Sequence, residues 1–405
     1  SSEQLDLSSI TAVLSLRDSG NVDRTTIDIG SSGKITLKSV QADGKTTTGT
    51  GTVDISGNVT ATADFSLIGS GLTFGGNTTL TIDSGTLTLT AAQADSKTIG
   101  GGTVSVTGNV SANTDLSSIT STLAFAGGSI SVDATKTLTL TAEQANGKTI
   151  AGSGTVSITG DVSNGDANLS NITAANLTFV DNTIQVADSR TLTLTQAQAT
   201  GKTITKATNG IVKVTSSGSS KFAVGSETID LSSISAALQL ADSGGSASNT
   251  FDIASGGILT LTSVQANAKT TSGSGTLNIS GNVTATSDLS SAASALTFGG
   301  NTTVQVTNGT LTLTQAQADG KTISGSGTVQ VKTTSSDQID FSVNTNLSGI
   351  TSTLSLATTL TVDSSKTLTL TAAQANGKTI SGSGTVTVSG DVAASANLSN
   401  ISATL

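Results

Sequence analysis

The 405-residue chain contains no Cys, His, Met, Trp, Tyr or Pro. Without Cys there is no disulfide framework, thiolate nucleophile or zinc–thiolate centre. That absence also fits very long exported bacterial proteins. Without His, general acid–base chemistry would fall to carboxylates. The only Glu are Glu3, Glu143 and Glu227, and the Asp stand mostly in turn sequences. No residue volunteers as a catalyst, so a non-enzymatic protein without metal or cofactor is expected. With no Met, residue 1 is not a translation start, and the chain is expected to be processed or part of something longer. No run of about 18 apolar residues occurs that could span a membrane as a helix. Charged residues make up only 11% of the chain and the net charge is −9. Nucleic acid and anionic membranes both select basic patches, so neither is an expected partner.

Thr, Val, Ile, Ser and 45 Gly fill the space that these absences leave. Disordered chains are usually charged or Pro-rich; this mixture suits short strands joined by tight turns, and it argues against helices. The dominant pattern is a unit that occurs seven times, most cleanly as TLTLTAAQANGKTISGSGTVTVSGDV at 367–392. Its TLTLT element begins at 34, 86, 137, 191, 258, 310 and 367, with gaps of 52, 51, 54, 67, 52 and 57 residues. Periods of this size mark solenoids, propellers or arrays. The eighth residue is always Gln: Gln41, Gln93, Gln144, Gln198, Gln265, Gln317 and Gln374. The twelfth is always Lys: Lys45, Lys97, Lys148, Lys202, Lys269, Lys321 and Lys378.

A larger block is duplicated as well. SETIDLSSISAAL at 226 mirrors SEQLDLSSITAVL at 2, and the same offset of 224 carries 34 to 258 and 86 to 310. The expected organisation is a first solenoid block at 1–204 (repeats one to four), an irregular seam at 205–225, and a second block at 226–405 (repeats five to seven and the start of an eighth). Both ends fall within a repeat, with Ile401 and Leu405 apolar near the last edge. The native chain, or a neighbouring copy, is therefore expected to continue the stack.

Alternation in TLTLT puts both Leu on one face and the Thr on the other. The expected inward set is Leu87 and Leu89, Leu138 and Leu140, Leu192 and Leu194, Leu259 and Leu261, Leu311 and Leu313, Leu368 and Leu370. Val104 and Val106, and Val386 and Val388, read alike. Phe74, Phe125, Phe179 and Phe298 recur twelve residues before the element and are expected to stack in register. TISGSGTVTV (379–388) aligns loosely with TLAFAGGSISV (122–132), so each repeat reads as two coils of about 26 residues. One coil cannot bury its own inner face, whereas stacking buries it and pairs the backbone. Tandem small sandwiches are the alternative, but the unit is short for one with a core. The expected fold is all-β: a β-solenoid, or parallel β-helix, of about 15 coils, forming a rod about 75 Å long.

The Gln, followed always by Ala (Ala42, Ala94, Ala145, Ala199, Ala266, Ala318, Ala375), reads as a cramped corner where the amide satisfies turn backbone and stacks on its equivalents. The Lys follows Asp43-Gly44, Asn146-Gly147, Asp319-Gly320 and Asn376-Gly377, a tight-turn composition. Ser96 and Ala268 in place of Gly argue against a strictly left-handed backbone there. Equivalent Lys would stand roughly 10 Å apart, a solvated row that discourages sideways aggregation; holding acidic glycans is the functional alternative. Gly-Lys-Thr is not a phosphate loop, because Ser39, Ala142, Gln196, Gln315 and Ala372 stand where that loop needs Gly. Ser31-Ser32-Gly33-Lys34 matches S-x-x-K without its companion motifs. Asp161, Asn164 and Asp166 could offer oxygens to Ca²⁺, but their spacing fits no EF-hand loop. Sequons such as Asn58-Val59-Thr60 and Asn109-Val110-Ser111 follow from the composition.

The recurrent TLTLTAAQANGKTISGSGTVTVSG resembles repeats of very large secreted bacterial surface proteins, the adhesin and haemagglutinin-like giants. The resemblance covers nearly the whole chain and carries no functional residues with it. It implies an extracellular or cell-surface structural region, a stalk or filament-forming segment, with further copies of itself as end-to-end partners and surface glycans as possible ligands. A Thr-rich binding module is the other function expected. Outward Thr-x-Thr rows would order water or ice, though full rows should recur only on every second coil.

Overall fold

A computed structural model describes residues 3–11, 15–69, 71–75, 79–293, 295–299, 303–332, 338–392 and 395–405. Of the stretch matched to 226–238, residues 2 and 12–14 lie outside the described residues. The chain divides into two compact units, Ser1–Thr193 with Ile204–Ile211, and Leu194–Thr203 with Val212–Leu405. Each is a stack of parallel strands wound as a β-solenoid, and the turns number about 18 in all. Within 205–225, Ile211–Thr215 and Phe222–Val224 are strands.

Repeat three shows how the sequence builds a turn. Strand β1 (Thr137–Thr141) is followed by a single helical turn α1 (Ala142–Ala145), then β2 (Thr149–Gly152), β3 (Thr155–Thr159) and β4 (Asn176–Phe179). Strand pairing is parallel throughout this stack: Thr114 pairs with Leu138, Leu138 with Val156, and Val156 with Leu177. These steps of 24, 18 and 21 residues average about 21, a strand-on-strand ladder of the kind that sets the turn height. A 52-residue repeat therefore makes about two and a half turns rather than the two expected. The half-repeats aligned in sequence are not the ones that stack. Thr122–Phe125 pairs with Thr103–Val106, while Ser129–Val132 pairs with Thr149–Gly152.

The fractional turn changes which residues become neighbours. Ala63–Asp64 pairs with Leu87–Thr88, but Gly71–Phe74, in the same turn, pairs back on Thr52–Ile55. Successive TLTLT strands thus stand in different sheets, on different walls of the stack; among the described residues the first six of these sheets are four-stranded and the last is three-stranded. Phe74, Phe125, Phe179 and Phe298 accordingly pair with β-branched residues of the preceding turn (Ile55, Val106, Ile158 and Ile279) and not with one another, whereas Phe222 pairs with Phe251. Thr137 lies beside Thr155, Thr139 beside Ser157 and Thr141 beside Thr159, so the full Thr row is followed by one with Ser at its centre.

The inward set is as expected. All twelve TLTLT leucines named above have side chains at 0% exposure, and Phe74, Phe125, Phe179 and Phe298 are buried. Full burial of one such side chain contributes about 1.5–3 kcal/mol. Val104, Val106 and Val386 are buried too, but Val388, on the last strand of its sheet, is half-buried. Turns stack closely where a Gly permits it. Gly152 has φ +107°, and a Cβ there would lie 2.2 Å from the Val132 carbonyl oxygen of the turn before. Both units also carry a short antiparallel excursion that the repeat pattern does not announce, bridged by Arg17 and Asp23 in one and by Ala241 and Ala247 in the other. In the first, Arg17 Nε lies 2.9 Å from the Asp23 carboxylate.

Candidate functional site: the corner groove

The invariant residues converge on the corner after each TLTLT strand, and the corner is helical. Residues 142–145 form one turn of α-helix, which the strand-rich composition argued against. Its cause is a reciprocal cap. Gln144 N–H donates to Thr141 Oγ1 at 3.1 Å, and Thr141 N–H donates to Gln144 Oε1 at 2.8 Å. Six of the seven corners have Thr at this N-cap; the first has Lys38, whose N–H still donates to Gln41 Oε1 at 2.7 Å.

The other end of each Gln ties the corner to the previous turn. Gln144 Nε2 donates to Leu116 O at 2.8 Å and Ile119 O at 2.7 Å. Gln93, Gln265, Gln317 and Gln374 repeat the arrangement on Phe65 and Ile68, Leu231 and Ile234, Leu289 and Ala292, and Leu347 and Ile350. The amide thus satisfies turn backbone as expected, but it bonds to main chain where stacking on other Gln was expected.

Those carbonyls belong to a second recurring motif, Asx-Leu/Phe-Ser, which the sequence reading passed over. Asp115 Oδ1 accepts from Ser117 N at 2.9 Å and from Ser117 Oγ at 2.6 Å. Asp230, Asp288, Asn346 and Asn397 do the same for Ser232, Ser290, Ser348 and Ser399. The Asx after the helical turn then reaches forward: Asn146 Oδ1 accepts from Asn168 N at 2.8 Å, and Asp319 Oδ1 from Asn346 N at 2.6 Å. Replacing Gln144 with Leu would leave two carbonyls and one amide without these partners. The expected loss is about 2–4 kcal/mol, read as a lower denaturant midpoint; an unchanged midpoint would remove the Gln from the stacking mechanism.

All seven corner Lys are half-buried rather than fully solvated. Lys321 Nζ donates to Leu296 O at 3.2 Å, and Lys378 Nζ to Leu356 O at 3.2 Å, so the ammonium caps carbonyls of the preceding turn. The residue before the Lys is left-handed even where it is not Gly: φ is +56° at Ser96 and +55° at Ala268. That corrects the reading of those two substitutions.

Between the helical turn and the Asx-Leu-Ser turn runs a shallow groove, formed at equivalent places in both units. In the first it holds about 510 Å³ and is lined by Ser117, Leu123, Thr141, Glu143, Gln144 and Lys148, among others. In the second it holds about 450 Å³, with Ser290, Leu296, Thr314, Ala316, Gln317 and Lys321 at the same stations.

The chain matches no family model, no curated protein and no solved structure.

Glu143 is the one acid at a station held elsewhere by Val40, Ala92, Ala197, Val264, Ala316 and Ala373. Burial pushes its pKa up. Hydrogen bonds from the backbone N–H groups of Glu143, Asn164 and Ser163 and from the Thr141 hydroxyl outweigh that, and hold it below the ordinary carboxylate value. The three residues considered for Ca²⁺ have other engagements. Asp161 and Asp166 accept from the N–H of Gln185 and Thr191, each at 2.9 Å, and Asn164 N–H donates to Glu143 Oε1 at 3.2 Å. Lys34, from the S-x-x-K match, lies 3.0 Å from the buried Asp54 carboxylate. What the corner offers is turn-to-turn bonding and a groove of hydroxyl, amide and ammonium groups.

Proposed function

We propose that the chain is a non-catalytic structural segment of an extracellular protein, a stalk or filament-forming region of an adhesin-like surface protein. It extends by end-to-end contact with further turns of the same kind. One observation carries the reading: the residues that recur from repeat to repeat tie one turn to the next. The Leu pairs fill the interior, the Gln ties helical turn to Asx turn, and the Asx after the helix reaches the following turn. Repetition spent in this way favours a structure propagated along an axis, since solenoid stability is a sum over neighbouring turns. Strand edges at the ends of such a stack present unpaired backbone groups that a further copy can meet in register.

The test is immunogold labelling of intact, unpermeabilised source cells with antibody raised against the chain. Label along surface fibres or projections is the expected result. Label that appears only after permeabilisation overturns the proposal.

A further inference from the structure

The corner grooves at Lys148 and Lys321 differ at one decisive station, and the difference assigns a ligand class to the one at Lys321. In the first unit Glu143 stands beside Lys148 in the lining. In the second, Ala316 occupies that station, and the lining, which also includes Ser290, Ser291, Thr314, Gln317 and Lys321, contains no carboxylate among the described residues. Its floor is apolar, made by Ala292, Ala293, Ala295 and Leu296, and its rim is hydroxyl and amide. Thr314 and the exposed Ala316 also line a neighbouring groove of about 430 Å³, together with Lys332. Lys332 Nζ donates to Ser290 Oγ at 2.8 Å and lies 3.7 Å from the Asp288 carboxylate, so its charge is largely answered. Lys321 donates to one carbonyl, Leu296 O, and no acid lines its groove.

We propose that the groove at Lys321 binds an acidic oligosaccharide through a sugar carboxylate. Lys321 pairs with that carboxylate; the Ser291 and Thr314 hydroxyls face the sugar hydroxyls; the Ala and Leu floor takes the C–H face of the ring. No aromatic ring lines the groove to stack a nucleobase, which sets single-stranded nucleic acid aside. The equivalent groove at Lys148 is closed to the same ligand by the charge of Glu143. This inference goes beyond the structural reading and stands or falls independently of it.

The chain supplies its own test substitution. Glu is accommodated at station 143, so Ala316→Glu changes the charge of the second groove with little risk to the fold, whereas replacing Lys321 would also remove a cap. Ligand-observed NMR titration of the full chain with trigalacturonate, against neutral maltotriose, reads the outcome, with thermal unfolding as the check on folding. Saturable trigalacturonate binding with none for maltotriose is expected, and Ala316→Glu should weaken it at least about fivefold, the effect of one like charge near contact in water. Glu143→Ala should add a second site of similar strength. Equal binding of maltotriose, competition by inorganic sulfate alone as strong as by the sugar, no saturation by about 10 mM, or a folded Ala316→Glu variant that binds unchanged would each overturn the assignment.

Discussion

Leu138→Asp is expected to melt the turns on either side of it before the rest of its unit. Leu138 is fully buried, paired with Thr114 below and Val156 above. A carboxylate there has no buried partner, and either its ionised or its protonated form costs several kcal/mol, about 3–5 after relaxation. Because the stack is held turn by turn, the damage should be local at first. Amide exchange at Val156 and Leu177 should accelerate most, and the thermal midpoint should fall. The companion Thr139→Asp, on the outward side of the same strand, should change little. Similar midpoints for the two variants would mean that the alternation has been assigned to the wrong faces.

The second large effect is expected at Gly152. Its φ of +107° is one that L side chains rarely adopt, and an added Cβ would meet Val132 O at 2.2 Å and Val132 N at 2.7 Å. Both contacts are backbone, so nothing flexible can yield and the two turns must separate. Gly152→Ala should cost about 3 kcal/mol or more, combining left-handed strain with overpacking. Gly147, five residues earlier, also has positive φ, +67°, but nothing lies within 4 Å of its added Cβ. Gly147→Ala should therefore cost only the backbone term, about 1–2 kcal/mol. The chain already makes that second change at Ala268. Equal losses at 147 and 152, measured by denaturant unfolding, would remove close turn stacking as the reason for the conserved spacing. Gly occupies the station of Gly152 in six of seven repeats, as Gly49, Gly101, Gly273, Gly325 and Gly382 besides.

The inward leucines could be read from the sequence because a strand has period two and Thr and Leu differ sharply in hydropathy. The turn length could not. Both halves of a repeat consist of an apolar pair, a glycine and an alternating strand, so several registers satisfy the pattern equally, and only the actual pairing of Leu138 with Val156 decides among them. The helical corner was present in plain form as Thr-x-x-Gln, a capping box, but strand-forming neighbours masked a helix of one turn. Asx-Leu-Ser was likewise in view in seven copies, and what hid its role is that the Gln bonded to its turn lies 24 to 34 residues away. The groove was illegible for the same reason. Its two sides, 117–123 and 141–148, meet only because of the register, and no local pattern encodes that.

The half turn left over in each repeat sets a spacing along the solenoid axis. Two repeats make about five whole turns, so an equivalent group returns to the same wall after about 24 Å at the rise of stacked strands. Lys45 and Lys148 in the first unit, and Lys269 and Lys378 in the second, stand in that relation. The distance is more than twice the Debye length at physiological salt, about 8 Å, so the charges of these ammonium groups are screened from one another, where a row at every second turn would have repelled its own members. A polymer lying along one wall would meet matching contacts at long, regular intervals. Its hold would then depend on how many intervals it spans, each new contact being made at the high effective concentration that the preceding one supplies.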